Sequence, residues 1–375
     1  MKKSRIADIA LILNYDRLGG AEKSAIEQSE VIPTDVDIYY PRINNISEIK
    51  NAESFKMPKG FFKASRSGYK NYLSAILSFI SWFFFSEKID FNKYKSLWLN
   101  GIKVFVLFSP SILIFYKNKK IMFHLRDYLP DHVIFKLMFR LYRMRSINLH
   151  IVGNSIDVID DFNKKFKEFK FQVHVCYNLC EKLDIQKKYR KPMVLGTASM
   201  LTPWKGVHKI LLFEKLYRNE LINLGIKEIA IYGDDIYKTD SGQGNYKSQL
   251  INFSSDSPLI KFYGQVASDE IYKNIDILIH GSIEPEPFGR VILESFSGGI
   301  PVLSQGLGGS LELFRDAPEL LYLDSDFEGL FLKIQKLIDN EQERDNLQDK
   351  LVSTYAKINT QAKIMLEQTF GTQDD

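Results

Sequence analysis

Short apolar runs recur along this chain, and each is followed by a stretch whose apolar residues return every three or four positions. Ile6 to Leu13 is the first run, Gly19-Gly20 then opens a helical stretch through about Val31, and Val36 to Tyr40 reads as a second strand. Leu97 to Asn100, Lys120 to His124, Leu149 to Gly153 and Gln172 to Cys176 repeat the pattern. Glu181 to Pro192 is charged and poor in apolar residues, and reads as a linker. The rhythm restarts with Val194 to Ala198, Ile229 to Tyr232, Leu259 to Tyr263, Ile277 to His280 and Pro301 to Ser304. Such alternation predicts a parallel sheet covered by helices. Because it occurs twice, it predicts two doubly wound, Rossmann-like α/β domains, residues 1–185 and 190–340. A charged helical segment from Glu341 to about Phe370 dominates the remainder, residues 341–375. The long aromatic and basic segment from Ile43 to Lys95 does not follow the rhythm.

Composition narrows the class. A chain of 375 residues with 45% hydrophobic and 26% charged residues is that of a globular protein with room for two cores. The two cysteines, Cys176 and Cys180, make neither a disulfide framework nor a metal-ligand cluster, so a reducing, cytoplasmic setting is expected. The Met-Lys-Lys start is followed by too short an apolar run for a secretory signal. The net charge of +4 is too small to argue for a nucleic-acid partner.

Its distribution says more. Phe135 to Arg145 carries four bases and no acid, with Lys136, Arg140 and Arg143 on one helical face. The apolar run Tyr72 to Phe85 is too short to span a bilayer, which needs about 20 apolar residues. Beside such bases it suits an anionic membrane surface, and a core helix with a solvated basic edge is the alternative.

Candidate chemistry concentrates in the second half. Glu286-Pro287-Phe288-Gly289-Arg290 leads through a short apolar helix pattern to Glu294, and Gly298-Gly299 closes the helix before Pro301-Val302. Eight positions are just over two helical turns, so both carboxylates could face one side. Two separated acceptors near a helix N-terminus suit a ligand with hydroxyls at one point and phosphates at another. Pro203-Trp204-Lys205-Gly206 places an ammonium at a helix start, suited to a diphosphate oxygen. In the first half, Gly19-Gly20-Ala21-Glu22 opens a helix directly after the first strand, where backbone N–H groups can meet an anion. His124-Leu125-Arg126-Asp127 ends a strand, the edge at which open α/β sheets bind ligands. The glycine fingerprint of dinucleotide oxidoreductases and its ribose-binding acid are absent.

These motifs together resemble the retaining GT-B glycosyltransferases of group 1, or family 4. Asn154-Ser155, Tyr177-Asn178, Gly233-Asp234, Tyr263-Gly264 and Gly308-Gly309 before Glu312 agree with that pattern. The resemblance implies two domains facing each other across a cleft, with the last helices returning to the N-terminal domain. It implies a nucleotide-diphosphate sugar as donor and no cofactor or metal. Glu286, with the Phe288 and Gly289 backbone, would hold donor-sugar hydroxyls, and Glu294 the ribose. Lys205 would take the diphosphate, His124 would lie near the transferring sugar, and Gly19-Gly20 would line the cleft. Relatives carry a strand-end Arg where this chain has Ser199-Met200-Leu201, and Arg290 is the expected replacement. The implied activity is transfer of a hexose to a hydroxyl of a glycan or lipid-linked acceptor, in bacterial surface polysaccharide or glycolipid synthesis, in the cytoplasm or at the inner face of the membrane. A catalytically silent sugar-nucleotide-binding protein and a GT-B epimerase are the alternatives.

Overall fold

A computed structural model describes residues 7–16, 18–42, 49, 51–56, 89–185, 193–235 and 246–371. The apolar run from Tyr72 to Phe85, most of the Ile43–Lys95 segment and the end of the linker at Pro192 lie outside the described residues. The chain divides into two compact units, residues 1–179 with 362–375, and residues 180–361. This differs from the expected division. The break falls between Leu179 and Cys180, before the charged linker, and the long C-terminal helix Glu341–Phe370 contributes its residues up to Gln361 to the second unit.

The first unit is built on a seven-stranded sheet of order β3-β2-β1-β4-β5-β6-β7, every neighbouring pair parallel. Its strands are β1 (Ile9–Ile12), β2 (Val36–Arg42), β3 (Glu53–Lys56), β4 (Ser96–Asn100), β5 (Lys120–Leu125), β6 (Asn148–Gly153) and β7 (Gln172–Val175). β3 falls in the segment that lacked a legible pattern. Helices Gly20–Val31, Ile102–Phe115, Val133–Met144 and Ile156–Lys165 connect the strands. β1 and β4 bury every apolar side chain they carry, as expected of parallel strands covered on both faces. One side of the core is aromatic. Phe105 stacks on Phe123 with ring centroids 3.8 Å apart, and Phe139 meets Phe162 and Phe166 edge to face.

The second unit has a five-stranded parallel sheet of order β10-β9-β8-β11-β12. The strands are β8 (Met193–Ala198), β9 (Ile226–Tyr232), β10 (Ile260–Gly264), β11 (Ile277–His280) and β12 (Val302–Ser304). β8 and β11 are buried along their whole length, whereas edge strand β10 alternates between half-buried and exposed residues.

Strand order reverses between β1 and β4 in one sheet and between β8 and β11 in the other. Such switch points open a crevice beyond the strand ends, because the two flanking connections leave in opposite directions. Gly19 follows β1, Asn100 ends β4, Lys205 follows β8 and His280 ends β11, so the candidate residues gather at those ends. Among the described residues, no helix is long and apolar enough to cross a membrane.

Candidate active site

After β8 the chain turns through a 3-10 segment, Pro203–Lys205, before helix Val207–Leu224 begins. Lys205 therefore sits in the turn ahead of the helix, not in its first turn. Gly206 has φ +65°, and a Cβ there would lie 1.9 Å from the Gly281 carbonyl oxygen. The backbone after β8 thus touches the backbone after β11, and the Ile283 N–H donates to the Trp204 carbonyl at 2.9 Å. Only a residue without a side chain allows that approach.

This contact brings Lys205 onto Glu286. The Lys205 ammonium donates to Glu286 Oε1 at 2.7 Å and lies 4.1 Å from the centre of the Trp204 ring. The other carboxylate oxygen, Oε2, lies 2.6 Å from His280 Nε2 and accepts from the Ser282 hydroxyl at 2.8 Å. An ionised carboxylate only accepts, so His280 Nε2 carries the hydrogen. His280 Nδ1 lies 2.9 Å from Ser304 Oγ at the end of β12. The Glu286 N–H donates to the Leu307 carbonyl, which holds its backbone beside Gly308. Glu286 is 8% exposed. Burial pushes its carboxyl pKa up, but Lys205 and His280 outweigh it and hold the group well below the usual carboxylate range.

The resemblance implies that Glu286 holds donor-sugar hydroxyls. In the structure it is enclosed, and both oxygens are engaged by side chains. His280 and Ser282 were not singled out from sequence. The one signal was local: a polar residue directly ends the apolar Ile277–Ile279 run.

Helix Arg290–Ser297 starts after Gly289, whose φ is +89°, and Phe288 is buried ahead of it. Glu294 lies on this helix, as expected. Arg290 Nε donates to Glu294 Oε1 at 2.7 Å, one turn apart, and the Tyr272 hydroxyl donates to Oε2 at 3.1 Å. Burial and the Glu294 charge raise the Tyr272 pKa well above its ordinary value, so it stays a donor. Arg290, expected to serve phosphate, is at least partly committed to Glu294. Tyr272 had no sequence signal beyond its helical spacing.

In the first unit, Gly19 precedes helix Gly20–Val31, again directly after β1. Glu22 in its first turn is buried, and its Oε1 has no hydrogen-bond partner among the described residues. Burial raises the Glu22 pKa to about 7, against the pull of Arg126 and Lys103. His124 is fully buried, stacks on Trp98 and accepts the Trp98 indole N–H on Nδ1 at 3.2 Å. Its hydrogen is therefore on Nε2, which has no partner among the described residues. Burial and Arg126 lower the His124 pKa well below its ordinary value, so it is a neutral donor. Arg126 donates to Asn100 Oδ1, Asn178 Oδ1 and Gln28 Oε1 at 2.6–2.8 Å. It ties together the end of β4, the first helix and the segment after β7.

Glu22 yields a stability prediction. A carboxyl whose folded pKa is raised from 4.5 to about 7 makes the native state hold the proton more tightly than the unfolded chain between those values. Stability from this group is full below 4.5 and is lost as pH rises to about 7. Glu22→Gln should flatten that slope and stabilise the protein at pH 8 by up to ~3 kcal/mol, with little change at pH 4. Urea unfolding at both pH values checks it, and equal midpoints for both proteins at pH 8 would refute it.

Among the described residues no group of three or more His, Cys, Asp or Glu could hold a metal ion. Comparison with known proteins bears on the second unit most directly. Residues 181–351 match the glycosyl transferases group 1 family. An uncharacterised 42.6 kDa protein in the cps region of Klebsiella pneumoniae is 28% identical over 217 residues, 57% of this chain and 55% of that protein. The chain thus spans about half the length of that relative. An uncharacterised glycosyltransferase, MJ1069, from Methanocaldococcus jannaschii is 25% identical over 84% of this chain and 74% of its own. Among solved structures, Anabaena Alr3699/HepE in complex with UDP and glucose superposes with a TM-score of 0.71 at 19% identity, covering 96% of this chain and 99% of that one. Sucrose-phosphate synthase from Thermosynechococcus elongatus gives 0.69 at 13% identity, covering 96% and 98%. Residues 181–351 are thus similar to the group 1 glycosyl transferases, and the chain as a whole adopts the two-domain α/β GT-B fold.

Proposed function

We propose that the protein is a retaining glycosyltransferase that moves a hexose from a nucleotide-diphosphate sugar to an acceptor hydroxyl, in the synthesis of a bacterial surface polysaccharide or glycolipid. The observation that carries this reading is the buried Lys205–Glu286 pair beyond the β8/β11 switch point, with Glu294 held by Arg290 and Tyr272 eight positions on. The Anabaena neighbour in complex with UDP and glucose supports the donor class, and the cps-region relative supports the pathway.

In this reading the bond from the anomeric carbon to the diphosphate oxygen breaks and its electrons leave with the diphosphate. The acceptor oxygen forms the new bond on the same face, and its proton passes to the departing phosphate. The barrier falls when positive charge waits where negative charge grows. Lys205 has three donor hydrogens, one already given to Glu286, which leaves the ammonium fixed and able to meet a phosphate oxygen. Glu286 sets that position and offers its oxygens to sugar hydroxyls, which would compete with Ser282. Glu294 accepts from the ribose hydroxyls.

Ser199-Met200-Leu201 stands where the family resemblance implies an Arg, which leaves room for a second reading, a silent sugar-nucleotide binder. Thermal shift with a panel of nucleoside diphosphates identifies the base, since a ligand at 100 times its Kd stabilises by about 2.7 kcal/mol. Transfer to acceptor mixtures then separates enzyme from binder, and donor turnover without acceptor marks an epimerase. Glu294→Ala should weaken the nucleoside diphosphate by about 1.5–3 kcal/mol, roughly ten- to a hundredfold in Kd by calorimetry. An unchanged Kd would remove Glu294 from the ribose.

A further inference from the structure

Helix Val133–Met144 of the first unit turns an apolar stripe to solvent. Phe135, Phe139 and Tyr142 face the core. On the opposite side Val133, Leu137, Leu141 and Met144 follow one another at spacings of four, four and three, which is one face of a helix. Val133 is 75% exposed, Leu137 54% and Met144 80%, with Ile134 and Leu141 exposed beside them. A surface helix ordinarily puts its polar residues there. The end of the neighbouring helix Ile102–Phe115 extends the patch, with Ile114 and Phe115 more than half exposed. Arg145 links the two helices by donating to the Leu113 carbonyl at 3.2 Å.

Bases border this stripe. Lys136, Arg140 and Arg143 run along one flank at spacings of four and three, and Arg145 lies on the other. No Asp or Glu occurs from His132 to Ile156, nor from Gly101 to Arg126. The acids that come near belong to flanking segments. Asp131 pairs with Lys136 at 2.7 Å, and the Glu168 carboxylate acts on Lys136. Arg140, Arg143 and Arg145 are exposed.

We propose that this face docks the protein onto an anionic lipid bilayer, with the Val133–Met144 stripe in the headgroup and acyl boundary and the arginines on lipid phosphates. Charge decides the occupant. A second copy of the same face would set Arg140 and Arg143 against like charges, whereas an anionic surface receives both the apolar stripe and its basic borders. The sequence reading of this region leaned on the Lys136, Arg140 and Arg143 face. The structure shifts the weight to an apolar stripe between bases. The proposal does not depend on the transferase reading, since it concerns a surface apart from Lys205 and Glu286.

The test is flotation of the full chain with phosphatidylcholine vesicles, with and without phosphatidylglycerol. Flotation is expected only with the anionic vesicles at low salt, and it should fall as salt rises. Each base near such a surface is worth about fivefold in partitioning, so Arg140→Glu with Arg143→Glu should weaken binding at least ~25-fold. Leu137→Ser with Met144→Ser should weaken it as well, because the stripe is inserted. These side chains are exposed, and unchanged circular dichroism and melting confirm the fold of each variant. The salt dependence of the wild type needs no variant. Wild type that stays soluble with both vesicles overturns the proposal. So does unchanged flotation of Leu137→Ser with Met144→Ser, and so does a dimer on gel filtration that those substitutions dissociate without any flotation of the wild type.

Discussion

Lys205→Ala is expected to lower sugar transfer by ~100-fold or more and to destabilise the second unit at the same time. The Lys205 and Glu286 side chains are each 11% exposed and bonded at 2.7 Å. Removing one partner of a buried ion pair leaves the other charge uncompensated, at a typical cost of about 3–5 kcal/mol. His280 and Ser282 still serve Oε2, so the lower end of that range is expected. The effect carries a pH signature. The Glu286 carboxyl is held below its unfolded value, so the stabilisation is present above about 4.5 and is lost as pH falls toward the folded value. The gap in urea-unfolding free energy between wild type and Lys205→Ala should therefore narrow as pH falls below about 4.5. A constant gap would mean that the charge pair is not its source. Wild-type turnover in a folded Lys205→Ala protein would remove the lysine from the chemistry.

Gly206→Ala is expected to cost more than about 3 kcal/mol of stability. The new Cβ would fall 1.9 Å from the Gly281 carbonyl oxygen, and φ at this position is +65°. Backbone atoms cannot give way as a flexible side chain can. Relief requires the turn after β8 to part from the segment after β11, which would separate Lys205 from Glu286 and reduce transfer as well. Gly20→Ala is the matching control, because a Cβ there meets nothing within 4 Å. It should leave the urea midpoint unchanged or slightly raised, since alanine favours the helix that starts there. Equal midpoints for the two variants would show that the contact at Gly206 is not tight.

The order of strands and helices was legible because it rests on local periodicity. Lys120 to His124 and Ile277 to His280 were readable as buried strands from five and four residues, and both occur within a residue of the expected bounds. Gly19-Gly20 and Gly206 announced turns through their chemistry. Glu286 and Glu294 stood out through their eight-residue spacing and the turn between them. β3 was not legible, since Glu-Ser-Phe-Lys at an edge carries one buried residue and no alternation strong enough to see.

Sequence by itself determined the α/β class and the residue types around the candidate motifs. Only the tertiary structure decided who pairs with whom. Lys205 and Glu286 lie 81 residues apart, and they meet because β8 and β11 are neighbours and because two backbones touch at Gly206 and Gly281. Glu294 is shared between Arg290, one turn away, and Tyr272 from a different helix. Arg126 became a clamp on three amide oxygens because β4, the first helix and the segment after β7 converge on it. The helix Val133–Met144 read as amphipathic from sequence, but which apolar residues face the core depended on the aromatic cluster beneath it. Periodicity is a property of a few consecutive residues and survives in a single strand of text. Partner choice depends on strand order and on close backbone approaches, which only the folded chain contains.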